Sequence, residues 1–154
     1  GIVKAGMMYL ENFDPSRWPA CNPETGYLNV DASPTKSFIL DAHRKNPADP
    51  YWAFCFGKRP AVEFYNLKTD PDCVKNLAPQ AATGKQRLAL QAELHAKLKA
   101  QGDPRMFGQG EVFDRYVHAN PAHVNFYERY MKGEKLNAGW VNKTDFEPAP
   151  LDAK

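Results

Sequence analysis

Between Ala61 and Leu67 the side chains alternate. Val62 and Phe64 fall on one face of an extended chain and Ala61, Glu63, Tyr65 and Leu67 on the other, the pattern of a β-strand. Lys68-Thr69-Asp70-Pro71 closes it with turn chemistry. Ile2 to Phe13 is a second stretch of β-type residues, with Met7, Met8, Tyr9 and Leu10 as its core candidates. The period changes between Thr83 and Gln101, where Leu90, Leu94 and Leu98 recur at helical spacing. Arg87 and Gln91 lie beside them, Lys85, Glu93 and Lys97 face solvent, and His95 falls on the exposed flank. Gly102 stops this helix and Pro104 prevents its continuation.

Ser33-Pro34 reads as a cap followed by proline at the first helical position. The helix it starts runs to about Lys45, with Phe38, Ile39 and Ala42 as a short apolar face. Asp49-Pro50 repeats the start signal and Gly57 supplies a stop. The segment between, Tyr51 to Phe56, suits a short helix or a buried strand equally well. A third helix is expected from Pro121 to Lys132, capped by Asn120 and ended by Gly133. Asp14 to Ser33, broken by Pro15, Pro19, Pro23 and Gly26, reads as irregular, and the tail from Asn142 as extended. The economical architecture is α+β, one domain over residues 1–154. It has a small antiparallel sheet, a long C-terminal-side helix and shorter flanking helices. So small a sheet needs a cover on its second face, which hints at a missing partner.

Composition narrows the function classes. With 154 residues, 43% of them hydrophobic, the chain carries enough apolar material for a core and too much for intrinsic disorder. Twenty basic against eighteen acidic residues leave a net charge of +2 without a block of like charge, so a nucleic-acid-binding stripe has little support. The longest apolar run, Tyr51 to Phe56, is six residues and far short of a membrane span. Gly1 to Leu10 lacks the basic start and apolar stretch of a signal peptide, although export through a leader lying upstream stays open. Cys21, Cys55 and Cys73 form no C-x-x-C pair, which argues against zinc and for unpaired, mostly buried thiols; one disulfide plus a free thiol is the alternative.

Sites for chemistry are sparse. His118 and His123 are five apart and do not share a helix face as an i, i+4 metal pair would; His43 and His95 have no metal-ligand spacing either. There is no G-x-S-x-G elbow, P-loop or dinucleotide fingerprint, and Gly108-Gln109-Gly110 reads as a plain loop. Trp18, Trp52 and Trp140 suit the core, or alternatively stacking on sugar rings, Trp18 and Trp140 having loop-like neighbours. Asn142-Lys143-Thr144 matches an N-glycosylation acceptor, a pattern common by chance. An autonomous hydrolase has the least support, because no nucleophile, acid–base pair or metal cage is visible.

The run Lys58-Arg59-Pro60-Ala61-Val62-Glu63-Phe64-Tyr65-Asn66-Leu67-Lys68-Thr69-Asp70-Pro71 closely resembles the R-P-x-E-E-L-Y-D-L-x-x-D-P segment near the C-terminus of type I sulfatases, in the alkaline-phosphatase-like superfamily. Asn76-Leu77-Ala78 matches the family's N-L-A, and the leucine-spaced helix with Gly102-Asp103-Pro104-Arg105 its continuation. Upstream, Tyr9-Leu10-Glu11-Asn12-Phe13, Arg17-Trp18-Pro19 and Asp31-Ala32-Ser33-Pro34-Thr35-Lys36 resemble the bacterial branch close to heparan N-sulfatases. The resemblance spans Met7 to about Glu147, with departures at Val62, Phe64 and Asn66, where the family has Glu, Leu and Asp.

This resemblance implies the C-terminal part of a sulfatase acting on a sulfated glycan. Such enzymes hydrolyse sulfate esters or sulfamates with a formylglycine made from Cys or Ser in C/S-x-P-S-R, beside a calcium ion. Both cofactors belong to a larger N-terminal catalytic domain, the expected partner, so this chain alone is expected to be inactive and to hold no cofactor itself. Asp14-Pro15-Ser16-Arg17 is a decoy: two positions before the proline stands Phe13, whose ring cannot become formylglycine, and Cys21 lies outside the motif. Arg59, Glu63, Tyr65, Asp70 and Pro71 are then structural. The substrate-cleft candidates are the loop positions Asp31, Ser33, Thr35, Lys36, His43 and Arg105. Of these, Lys36 and Arg105 are suited to pairing with a sulfate or uronate. Export or a periplasmic location follows from the resemblance, with neither nucleic acid nor membrane as a partner. The alternative is a stand-alone carbohydrate-binding or interaction module.

Overall fold

The computed structural model describes residues 1–20, 22–23, 30–137, 139 and 141–146. The chain is α+β, with a three-stranded antiparallel sheet, one long helix and shorter helices. Where one subdomain is expected from the sequence, the fold divides into two compact units. The first is formed by 1–14 with 60–117, the second by 15–59 with 118–154.

In the first unit β1 (Ile2–Lys4) and β2 (Met7–Glu11) form a hairpin, and β2 pairs with β3 (Val62–Asn66) in the order β1-β2-β3. The sequence reading ran Ile2 to Phe13 together; Ala5 and Gly6 divide it, with φ of 51° and 79°. Positive φ at both central residues is the geometry of a two-residue hairpin turn whose twist matches that of its strands. Tyr9 faces Phe64 across the β2–β3 ladder, and Leu10 faces Glu63. Alternation then places Met7, Tyr9, Val62 and Phe64 on one face, which packs on α3 (Gly84–Ala100) through Leu90 and Leu94. Ile2, Leu77, Ala78 and Leu98 complete this core. Helix α3 ends where expected: Gly102 takes the left-handed conformation (φ 73°) and the Asp103 N–H reaches back to the Leu98 carbonyl. Glu63 and Tyr65, on the opposite face of the sheet, are buried too.

The free edge of β3 is managed by the segment just downstream. The Asn76 side chain accepts from the Phe64 N–H (2.9 Å) and donates to the Val62 carbonyl (3.1 Å), and the Leu77 N–H donates to the Phe64 carbonyl. A side-chain amide thus supplies the pairing that a fourth strand would have given, which protects an edge that would otherwise template association.

The second unit is built on α1 (Pro34–Lys45) and α2 (Pro50–Phe56). Ser33 Oγ accepts from the Lys36 N–H and Asp49 from the Tyr51 N–H, each with proline at the first helical position. The segment left open between helix and strand is therefore helical. Its stop, Gly57, is required by contact: a Cβ there would come within 2.7 Å of the Ala53 carbonyl oxygen. The third helix is shorter than expected. A single 3₁₀ turn, Pro121–His123, is followed by α4 (Phe126–Met131), because Asn125 sits at φ 50° and breaks the helical path. A 3₁₀ turn at Lys143–Asp145 interrupts the tail expected to be extended; residues 147–154 lie outside the described part, as do Cys21 and Trp140.

Candidate functional site

The cleft candidates separate on folding. Asp31, Ser33, Thr35 and Lys36 gather at the start of α1. His43 lies on the same helix about 10 Å further along its axis. Arg105 belongs to the other compact unit.

Capping explains the first group. Asp31 and Thr35 are exposed, whereas Ser33 is occupied as the cap of α1. Lys36, expected from the sequence to line the cleft and pair with a sulfate or uronate, is 2% exposed. Its ammonium donates to the Val30 carbonyl (3.1 Å) and lies 3.7 Å from a carboxylate oxygen of Asp145, also 2% exposed. Ser37 donates to the other Asp145 oxygen at 2.7 Å and accepts from Asn142, while Arg44 donates to the Thr144 and Asp145 carbonyls. Lys36 is therefore a buried charge balanced from within, holding the segment around Asp145 against α1.

His43 lies flat on Trp52, with ring centroids 4.8 Å apart and planes 17° apart. The edge of Trp18 meets Trp52 at 5.9 Å, Phe56 packs against it from another side, and the Lys58 ammonium sits 4.8 Å from the Trp18 ring centroid. His43 Nδ1 and Trp52 Nε1 are both buried without a hydrogen-bond partner among the described residues. Together these residues form an aromatic cluster with a cation at its rim.

Arg105 is exposed and grips Asp103 with two nitrogens, at 2.9 and 2.6 Å. That bond holds the Asp103 carboxyl below the usual carboxylate range. The Arg105 guanidinium also stands about equally far from the Phe13 and Phe113 rings, 5.1 and 5.0 Å from their centroids. Like Lys36, it has its charge met inside the chain.

The residues read as a structural motif act on the backbone and on one another. Glu63 accepts from Tyr65 Oη (2.7 Å) and from the Asn12 amide (2.9 Å), and Arg59 donates to the Phe54 carbonyl. Asp70 accepts from the backbone N–H groups of Val74 and Lys75, closing the turn that contains Pro71.

Three polar features escaped the sequence reading. His95 is half-buried rather than on an exposed flank, its Nε2 2.6 Å from Glu11. Tyr9 donates to the same carboxylate at 3.3 Å; burial first, then Glu11, pushes its phenol up to about 12. A signal for this existed: alternation puts Glu11 on the buried face with Met7 and Tyr9, and a carboxylate there needs a donor. The other two are the burial of Lys36 with Asp145 and the His43–Trp52 stack. Among the thiols, Cys55 is exposed and Cys73 partly so, against the expectation of burial. Burial and the nearby Asp70 and Asp72 raise the Cys73 thiol, which disfavours the nucleophilic thiolate. Among the described residues no three His, Cys, Asp or Glu side chains are grouped to hold a metal ion, and no helix is long and apolar enough to cross a membrane. No family model, curated protein or solved structure matches the chain.

Proposed function

We propose that this chain is the C-terminal part of a sulfatase acting on a sulfated glycan, packing on a catalytic domain and shaping the mouth of its substrate cleft. The observation that supports the reading most is the behaviour of the Arg59–Pro71 segment. Its polar residues serve the fold, Glu63 being buried between Tyr65 and Asn12 and Asp70 closing the turn after β3, as expected of a scaffold element rather than a reacting one. The α+β architecture with a small antiparallel sheet and one long helix agrees with it. So does the run from Phe107 to Val117, where Phe107, Phe113, Tyr116 and Val117 are all exposed, Val117 to 87%. Apolar side chains concentrated in this way suit coverage by another protein surface. In this reading formylglycine and calcium belong to the catalytic domain, and the protein works outside the cytoplasm on extracellular polysaccharide.

The test is the mass of the native gene product, by immunoblot or intact mass spectrometry from source cells. A product several times larger than 17.4 kDa, with C/S-x-P-S-R upstream and sulfohydrolase activity on a sulfated glycan, is the expected result. A native product near 17.4 kDa overturns the proposal. A second reading, a stand-alone carbohydrate-binding module, draws on the aromatic cluster around Trp52.

A further inference from the structure

We propose that a groove between the β1–β2 turn and α3 binds a short aliphatic carboxylate, its tail against Ala5, Ala89 and Leu90 and its carboxylate on the Lys4 ammonium. The groove lies within the first compact unit and is independent of the sulfatase reading.

Its volume is about 220 Å³, and it is lined by Lys4 and Ala5 from the hairpin and by Gln86, Ala89, Leu90 and Glu93 from α3. By the share of volume a water takes in the liquid, that is room for about seven waters. A methylene group needs about as much, so a tail of about five carbons fits, whereas a drug-sized molecule does not. Two alanines keep the groove open. Ala89 and Ala5 present only methyl groups to it, and Leu90 is its buried member. Ala5 is held at φ 51°, in the left-handed region where glycine is the unstrained choice and where the next residue, Gly6, sits at 79°. Strained backbone of this kind gathers where a chain meets a ligand. The Ala5 methyl extends the apolar wall, which a glycine would not.

The mouth of the groove is positive. Two ammoniums share Glu93, Lys4 at 2.6 Å from one carboxylate oxygen and Lys97 at 3.0 Å from the other, and these bonds hold its carboxyl below the usual carboxylate range. Two cations around one anion leave a positive charge over. Lys4 need not leave Glu93 to meet a ligand, because an ammonium has three N–H donors and this side chain is 59% exposed. Along α3, Lys85, Arg87, Lys97 and Lys99 outnumber the single carboxylate of Glu93, so the field over the groove favours an anion. An apolar wall with a cation at its edge suits an amphipathic anion.

The probe is sodium hexanoate, compared with butyrate, decanoate and hexylammonium, and binding to the full chain is followed by amide proton–nitrogen NMR. Hexanoate is expected to move the signals of Ala5, Gln86, Ala89 and Leu90, with a millimolar Kd set by so few atoms. Butyrate is expected to bind about tenfold more weakly, at up to about fourfold per methylene lost, and decanoate no better than hexanoate because the groove is full. Lys4→Gln weakens hexanoate about three- to fivefold, the range of an exposed ion pair. Ala89→Leu, at an exposed helical position that accepts leucine, fills the groove and abolishes the shifts with the circular dichroism spectrum unchanged. Lys99→Gln, outside the groove, changes nothing. Absence of binding at tens of millimolar overturns the site. So do equal shifts with hexylammonium, or shifts untouched by Ala89→Leu. Affinity that goes on rising from hexanoate to decanoate overturns the short tail.

Discussion

Removing one member of the buried Lys36–Asp145 pair should be far more damaging than removing both. At 3.7 Å and an effective dielectric of about 20, the attraction between these charges is about 4.5 kcal/mol. Taking each ion out of water costs a comparable several kcal/mol, so the intact pair is close to neutral for stability. Asp145→Asn keeps an acceptor for Ser37 but leaves the ammonium buried against an uncharged amide. The expected loss is about 3–5 kcal/mol, a large part of the ~5–15 kcal/mol available to a folded chain. Lys36→Met is expected to cost as much, by leaving the carboxylate unpaired. The double variant Lys36→Met/Asp145→Leu should recover most of that loss, since no charge is then stranded. Urea unfolding followed by circular dichroism, with linear extrapolation, measures all four proteins, and the cycle isolates the pair. Should Asp145→Asn fall within about 0.5 kcal/mol of wild type, the span of ordinary surface substitutions, the pair is not buried as described and the reasoning fails. A double variant as unstable as the two single losses added together refutes it equally.

Tyr9 predicts an alkaline transition. With its folded value raised from 10 to about 12, the neutral phenol favours the folded state; this contribution is complete below about pH 10 and is lost as pH rises toward 12. It is on the order of 2–3 kcal/mol, and absorbance at 295 nm with parallel unfolding curves should show ionisation and loss of structure together, with Tyr9→Phe remaining folded to higher pH. Ala5→Gly relieves a positive φ in the β1–β2 turn and should stabilise the chain by about 0.5–1 kcal/mol, or roughly 1–4 °C in Tm; a fall in Tm would contradict the turn geometry. His95→Ala removes a 2.6 Å bond to Glu11 and should cost about 1.5–3 kcal/mol in urea unfolding. Glu11→Gln in the same background should then add little, and a fully additive effect would show that the two residues act separately.

The candidate site was legible only where local rules governed it. Ser33 as a cap could be read because Ser-Pro at a helix start has one economical use, and Asp70 because Asp-Pro closes a turn. The charge and loop-like positions of Lys36 and Arg105 suit an anion, but charge and position do not show that Asp145 and Asp103 occupy them. Asp103 was the more accessible inference, being two residues from Arg105, whereas Asp145 lies at the far end of the chain. His95 was misplaced for a similar reason: the leucine period sets the centre of the buried stripe of α3 but does not say which flank β2 will reach.

The amino-acid sequence by itself determined the elements with local causes. These are the strand whose alternation separates Phe64 from Glu63, the helix whose leucines recur along one side, the proline-led starts of α1 and α2, and the glycine end of α3. Each follows from backbone hydrogen bonding and side-chain periodicity within a few residues. Tertiary structure alone decided that Asn76 completes the edge of β3, that Glu11 finds His95 and that Lys36 is buried with Asp145. Those outcomes join residues up to 109 positions apart. Pairing over that distance is set by which surfaces exclude water together, and no short window of sequence contains both halves of such a contact.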